Sequence, residues 1–221
     1  MAGGVQVFPF YILCDASRSM KGDRIGSVNA GLPNIHQAIV SDPVVAEKVR
    51  LGVISFATEA QVDLPLSQLS EIASMPTLKA GGQTNYAKAF ALAQQTIGRD
   101  IDDLKAAGYS VLRPCVYFIT DGRPGDGWKT VRDKWVDRSQ NKYAPNIISF
   151  GVADADEETL KRLSTQFTFV ANAGTSSANA LNEVMRSITS SVVSTAQSNE
   201  AGLAIPKTNE VFRVINHGDN Q

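Results

Sequence analysis

Cysteine and histidine are scarce in this chain, with two of each among 221 residues. Two thiols cannot form a disulfide scaffold, and two imidazoles cannot furnish a multi-histidine metal centre. Neither sign of charge is in excess, since 21 Lys and Arg face 22 Asp and Glu for a formal net charge of −1. A protein that neutralises nucleic-acid phosphates needs a basic surplus, so DNA or RNA binding is disfavoured. Long apolar runs are missing as well. The stretch VFPFYILC (residues 7–14) is too short to span a bilayer, and no Lys or Arg precedes it as a secretory leader requires. Leu13 before Cys14 and Asp15 after it do not suit an acylated lipoprotein cysteine. The segment reads as a buried strand, no membrane insertion is expected, and the cytoplasm is the default compartment. The phosphate-cradling G-x-x-x-x-G-K-[ST] loop and the dinucleotide fingerprint G-x-G-x-x-G are also absent. Chemistry carried by oxygen donors remains.

What is present is the balance of a globular protein, 43% hydrophobic and 19% charged. Short apolar runs alternate with helical periodicity. After the strand at 8–14, Ile25, Val28, Leu32, Ile35 and Ile39 recur at steps of three and four, with Pro33 placed to kink or loosen that helix. Val49–Phe56 and residues 61–66 form a hairpin across Ala57-Thr58-Glu59-Ala60, and Pro65 suits an edge strand. Gly81 and Gly82 precede a helix carrying Tyr86, Phe90, Ala93, Ile97, Ile101 and Leu104. The strand Cys115–Thr120, a helix around Trp128, Val131 and Trp135, and a strand at 146–152 follow. A helix at 156–163, the strand Phe167–Ala171 and a closing helix through Leu181, Val184, Met185, Ile188 and Val192 complete the pattern. This order predicts an α/β fold: a doubly wound, mostly parallel six-stranded sheet with one antiparallel edge strand and helices on both faces. The domain is expected over 1–198. Residues 199–221 are more polar and read as a tail or arm, in which Val211, Phe212, Val214 and Ile215 either add a strand or, as expected here, cover an apolar patch of the same domain. Cys14 and Cys115 are offset by about five residues on neighbouring strands, about 16 Å at 3.3 Å per residue, beyond disulfide reach. Both read as buried thiols.

The chemistry gathers at strand ends. Asp15-Ala16-Ser17-Arg18-Ser19 follows the first strand directly, and side chains two apart in extended backbone project to one side. Asp15, Ser17 and Ser19 therefore aim three oxygens at one point, although the same residues also make a helix-capping turn. Gly81-Gly82-Gln83-Thr84 sets a hydroxyl at a glycine-rich loop, where Thr84 also reads as an N-cap, and Thr120-Asp121-Gly122 ends another buried strand with a carboxylate. Ligands of open parallel sheets collect beyond the carboxyl ends of strands where the strand order reverses. If the strands ending at Asp15 and Asp121 are neighbours there, two carboxylates and three hydroxyls meet in a hard, all-oxygen site suited to Mg²⁺ or Mn²⁺ and to Ca²⁺, not to Zn²⁺ or copper.

The D-x-S-x-S motif at 15–19, the Thr after a glycine-rich turn and the T-D-G at 120–122 together resemble the von Willebrand factor A domain and its metal-ion-dependent adhesion site. The resemblance runs from about residue 8 to residue 198. The segments SDPVVAEKVRLGVISFATEAQVDLPL (41–66) and FITDGRPGD (118–126) look closest to bacterial cytoplasmic members linked to tellurium resistance and stress responses. The resemblance implies a Mg²⁺ held by Ser17, Ser19 and Thr84, with Asp15 and Asp121 bound directly or through water. It also implies an open coordination position filled by a carboxylate from a partner protein. Candidate partners are other tellurium-resistance proteins or a kinase or phosphatase. Arg18 departs from the small residues frequent in relatives, and a cation there either repels the metal or steers an acidic partner. Asp126 reads as a surface loop charge.

Two other function classes compete. A metal-assisted phosphatase using Asp15 as nucleophile needs a second Asp two residues on as general acid, and Ser17 stands there. A serine hydrolase needs a base beside Ser17 or Ser19, whereas His36 lies on the first helix and His217 in the tail. A scaffold with a vestigial metal site, working through helix faces or the tail, is the third reading. The expected function is a non-catalytic, metal-dependent protein-binding module.

Overall fold

The computed structural model describes residues 4–198 and 202–216. Its strands are β1 Gln6–Asp15, β2 Val49–Phe56, β3 Ala60–Ser67, β4 Ser110–Val111, β5 Cys115–Thr120, β6 Asn146–Gly151, β7 Phe167–Ala171 and β8 Phe212–Asn216. They form one sheet in the order β3-β2-β1-β5-β6-β7-β8, with the two-residue β4 pairing with β1 off this path. The helices are α1 Asp23–Val40, α2 Pro43–Lys48, α3 Tyr86–Ala106, α4 Trp128–Val136, α5 Glu157–Leu163 and α6 Ser177–Gln197. Pairing is parallel through the centre of the sheet, and both edges are antiparallel, β3 on β2 and β8 on β7. Among the described residues no helix is long and apolar enough to cross a membrane.

The central strands are apolar on both sides because helices cover both faces. Along β1 the side chains alternate: Phe8, Phe10, Ile12 and Cys14 enter the core beneath α1 and α6, while Tyr11 and Leu13 enter the core beneath α3 and α4. Pro33 lies within α1, which runs on past it to Val40. At Gly31 a methyl group would stand 2.4 Å from Met185 Cγ and 2.5 Å from its Cβ, so the absence of a side chain sets how closely α1 and α6 approach.

The six-stranded expectation needs correction to eight, with a second antiparallel edge. The two residues of β4 are too few to show any periodicity. The other addition, β8, lies in the polar arm. Its backbone satisfies the open edge of β7, and Phe212 packs edge-on against Phe150 at 6.1 Å, so the arm both adds a strand and covers apolar surface. Before reaching β7 the arm lies along α6, where Glu183, Ser187, Ser191 and Thr195 recur every fourth residue and hydrogen-bond its backbone at Asn209, Lys207 and Ala204. His217 lies outside the described residues. Cys115 is level with Phe10 and Cys14 with Ile119, so the thiols are offset by four residues, not five, and both are free and buried.

A buried glycine with no room for a methyl separates two opposing effects. Alanine in a helix normally stabilises by up to ~1 kcal/mol, whereas overpacking a core costs ~1–3 kcal/mol. Gly31→Ala is therefore expected to lower the urea midpoint; a raised midpoint would contradict the close approach of α1 and α6.

Candidate metal site

The strand order reverses between β1 and β5: the chain leaves β1 for β2 and β3 on one side, then crosses through α3 to β5 on the other. Asp15 ends β1 and Thr120 ends β5, so the carboxylates of Asp15 and Asp121 emerge side by side at this crevice. Both residues are buried, Asp15 completely and Asp121 at 2% exposure. A buried charge needs hydrogen-bond donors. Asp15 Oδ1 accepts the Ser17 backbone N–H at 2.8 Å, and Oδ2 accepts the Thr120 hydroxyl at 2.6 Å. Thr120 Oγ1 in turn receives the Tyr86 hydroxyl at 3.0 Å, from the first residue of α3. Asp121 Oδ1 accepts the Ser19 hydroxyl at 2.7 Å, and its Oδ2 accepts from the Arg24 guanidinium. Burial pushes the Asp15 carboxyl above its ordinary pKa; the hydrogen bonds from Thr120 and Ser17 oppose that rise, and the Asp121 charge adds to it.

Of the hydroxyls, Ser17 is as buried as Asp121, whereas Ser19 and Thr84 are more open to solvent. Ser17 Oγ is 3.0 Å from Ser19 Oγ, and Ser19 is exposed. Thr84 is half-buried and does not cap α3; Asn85 does, accepting the Lys88 N–H at 3.1 Å. The glycine-rich loop is stitched to the first loop by Gly81 N–H to Ala16 O (2.7 Å) and Arg18 N–H to Gly82 O (3.0 Å). Gly82 has φ +77°, in the left-handed region, and a methyl there would lie 2.6 Å from Thr58 Oγ1, so glycine is required.

All five expected residues therefore meet at the sheet's rim, from three separate segments. A methyl placed on Gly122 would sit 3.3 Å from Thr84 Oγ1, 3.8 Å from Asp15 Oδ2 and 4.0 Å from Ser19 Oγ. The bare glycine leaves a space bounded by oxygens from the segment after β1 and from the glycine-rich loop. Two carboxylates and three hydroxyls around such a space fit a hard divalent cation. Among the described residues no group of three or more His, Cys, Asp or Glu gathers as a metal site, so any metal here depends on hydroxyl oxygens.

Three residues of the cluster escaped the sequence reading: Thr120 as a donor to Asp15, Tyr86 behind it, and Arg24 on Asp121. The cation noted in sequence, Arg18, is exposed and meets the glycine loop through its backbone N–H. Asp126 is exposed in its loop, and His36 Nε2 lies 3.0 and 3.2 Å from the carbonyls of Leu69 and Ile72, tying down the segment after β3.

The family model for the von Willebrand factor type A domain matches residues 10–195. The chain belongs to the von Willebrand factor A family. No curated protein matches it. Solved structures of similar fold include the pilus adhesin SpaC of Lactobacillus rhamnosus GG in its open conformation (TM-score 0.64, 12% identity, covering 86% of this chain and 30% of that one). A von Willebrand factor type A protein from Catenulispora acidiphila aligns with TM-score 0.59 at 13% identity, over 85% of this chain and 43% of that one. Proximal thread matrix protein 1 of the mussel byssus, in a form whose MIDAS motif is occupied by zinc, aligns with TM-score 0.58 at 15% identity, over 86% and 48%. The chain thus spans half or less of the length of these proteins, and at such identities the likeness is one of fold.

Thr120→Val keeps the shape of the side chain but removes the donor to a buried carboxylate. Because hydrogen bonds to charged groups contribute ~1.5–3 kcal/mol, a loss of about 2 kcal/mol in urea unfolding at neutral pH is expected, and unchanged stability would show that Asp15 does not depend on Thr120.

Proposed function

We propose that this A domain is a non-catalytic, metal-dependent protein-binding module in which Ser17, Ser19 and Thr84 hold a divalent cation, with Asp15 and Asp121 behind them. The observation that carries the reading is the oxygen-lined space at Gly122, with buried acids below and a solvent-facing serine at its mouth. A bound divalent ion supplies positive charge and an open coordination position for an outside carboxylate. The protein's part is to hold the donors. Thr120 and Ser17 fix both oxygens of Asp15, and Ser19 gives its hydrogen to Asp121, so its oxygen offers only lone pairs, one of them taking the Ser17 hydroxyl at 3.0 Å.

The same bonds weigh against the phosphatase reading. Both oxygens of Asp15 are engaged and the residue is fully buried, so it presents no free nucleophile. Tyr86, whose buried hydroxyl stands behind Thr120, is pushed above its ordinary pKa by burial and is no ready base. The adhesin and matrix proteins of similar fold accord with a binding role. Mg²⁺ is the proposed ion, with Mn²⁺ and Ca²⁺ as alternatives; the zinc-occupied MIDAS of the mussel protein makes zinc a necessary competitor in any assay. The proposed setting is a cytoplasmic tellurium-resistance or stress-response complex, supported by the resemblance of residues 41–66 and 118–126.

A ligand at a hundredfold excess over its Kd stabilises by ~2.7 kcal/mol. Magnesium added to chelator-treated protein is therefore expected to raise the Tm by several degrees, and Ser17→Ala, Thr84→Ala and Gly122→Ala are each expected to cancel that rise while remaining folded without metal. Pull-downs from lysate with and without chelator then test partner capture. An unshifted Tm in the unsubstituted protein would favour the vestigial-site scaffold.

A further inference from the structure

Among the described residues, Arg24 is the only basic side chain hydrogen-bonded to either acid of the cluster. It stands in the first turn of the 18-residue helix α1, where the helix dipole disfavours a cation. Its guanidinium turns back onto the site: Nη1 bonds Asp121 Oδ2, and the same nitrogen reaches the Ser19 carbonyl at 3.2 Å. The Asp121 side chain is fully buried, while that of Arg24 is 30% exposed. The pairing therefore places a fixed positive charge against the acid that Ser19 also bonds.

The consequence is a matter of charge balance. Asp15 and Asp121 alone carry −2, which a divalent cation cancels to zero. With Arg24 paired to Asp121 the cluster carries −1 before the cation and +1 after it. A site that ends neutral attracts an outside carboxylate only through its open coordination position, whereas one that ends positive also attracts it at a distance.

On the reading that this is a metal-dependent module, we propose that Arg24 is a built-in counter-charge that sets its specificity. It weakens the hold on the divalent cation and in exchange leaves the loaded site positive, which selects an anionic partner group. Arg24 need not touch either the cation or the partner; it acts through Asp121 as a positioning and charge-setting residue. The two effects have opposite sign, so a general loss of structure cannot imitate them.

The test compares Arg24→Gln with the charge-retaining Arg24→Lys. Calorimetric titration of Mg²⁺ into metal-free protein is expected to show Arg24→Gln binding about tenfold tighter than the unsubstituted chain, given Coulomb energies of a few kcal/mol at the effective dielectric near a protein surface. Glutarate titrated into the magnesium-saturated protein, followed by amide shifts, is expected to bind several-fold more weakly to Arg24→Gln. Arg24→Lys is expected to stay near the unsubstituted values in both. Equal or weaker Mg²⁺ binding in Arg24→Gln, or undiminished glutarate binding, would overturn the proposal while leaving the metal site standing. Glutarate binding in the presence of chelator would assign the anion to Arg24 directly and also overturn it. No Mg²⁺ binding by the unsubstituted chain would remove the underlying metal-site reading, and this proposal with it.

Discussion

Two carboxylates buried side by side at the end of a sheet are the constraint around which the rest of this domain is arranged. Bringing β1 and β5 together in parallel places Asp15 and Asp121 out of water, where a carboxylate is costly without donors. Each acid is therefore met by donors, most of them from a distant part of the chain: Thr120 and the neighbouring Ser17 amide for Asp15, Ser19 and Arg24 for Asp121. These bonds span 105 residues in one case and 97 in another, so the cluster exists only in the finished fold. In the proposed site a cation at this rim would meet the hydroxyls of Ser17, Ser19 and Thr84, with the acids behind them.

The flanking structure serves that arrangement. Helices on both faces make β1 and β5 apolar throughout, and their rigidity fixes where the terminal acids stand. The glycine loop before α3 is tied by backbone bonds to the segment after β1, which brings Thr84 to the same space. Tyr86 links α3 to Thr120, so the helix that carries the loop also supports the acid opposite. On the far side the arm runs down α6 and closes the sheet with β8.

Much of this was legible in the linear chain, for identifiable reasons. Central strands such as Cys115–Thr120 are continuous apolar runs, and α1 and α6 carry clear three-four periodicity, so the alternation and the fold class follow. The five oxygen-bearing residues were legible because each sits at a strand end or a glycine turn, where function collects in such sheets. The short α2, which Asp42 caps, and the two-residue β4 carry too little periodicity to register. The strand β8 is hidden by the polar character of its arm, and only the open edge of β7 gives Phe212 and Val214 a place to pair. Arg24 was the instructive omission. In sequence Arg18 lies nearer the motif, but backbone geometry turns Arg18 outward while one turn of α1 carries Arg24 back to Asp121.

The account's central claim, that hydroxyl oxygens from two loops surround one divalent cation beside two buried acids, is tested most directly by anomalous diffraction from crystals grown with Mn²⁺. The predicted result is a single strong anomalous peak in the space beside Gly122, bounded by the side-chain oxygens of Ser17, Ser19 and Thr84. A map without a peak there at saturating Mn²⁺, or with the ion held by other residues, would contradict it.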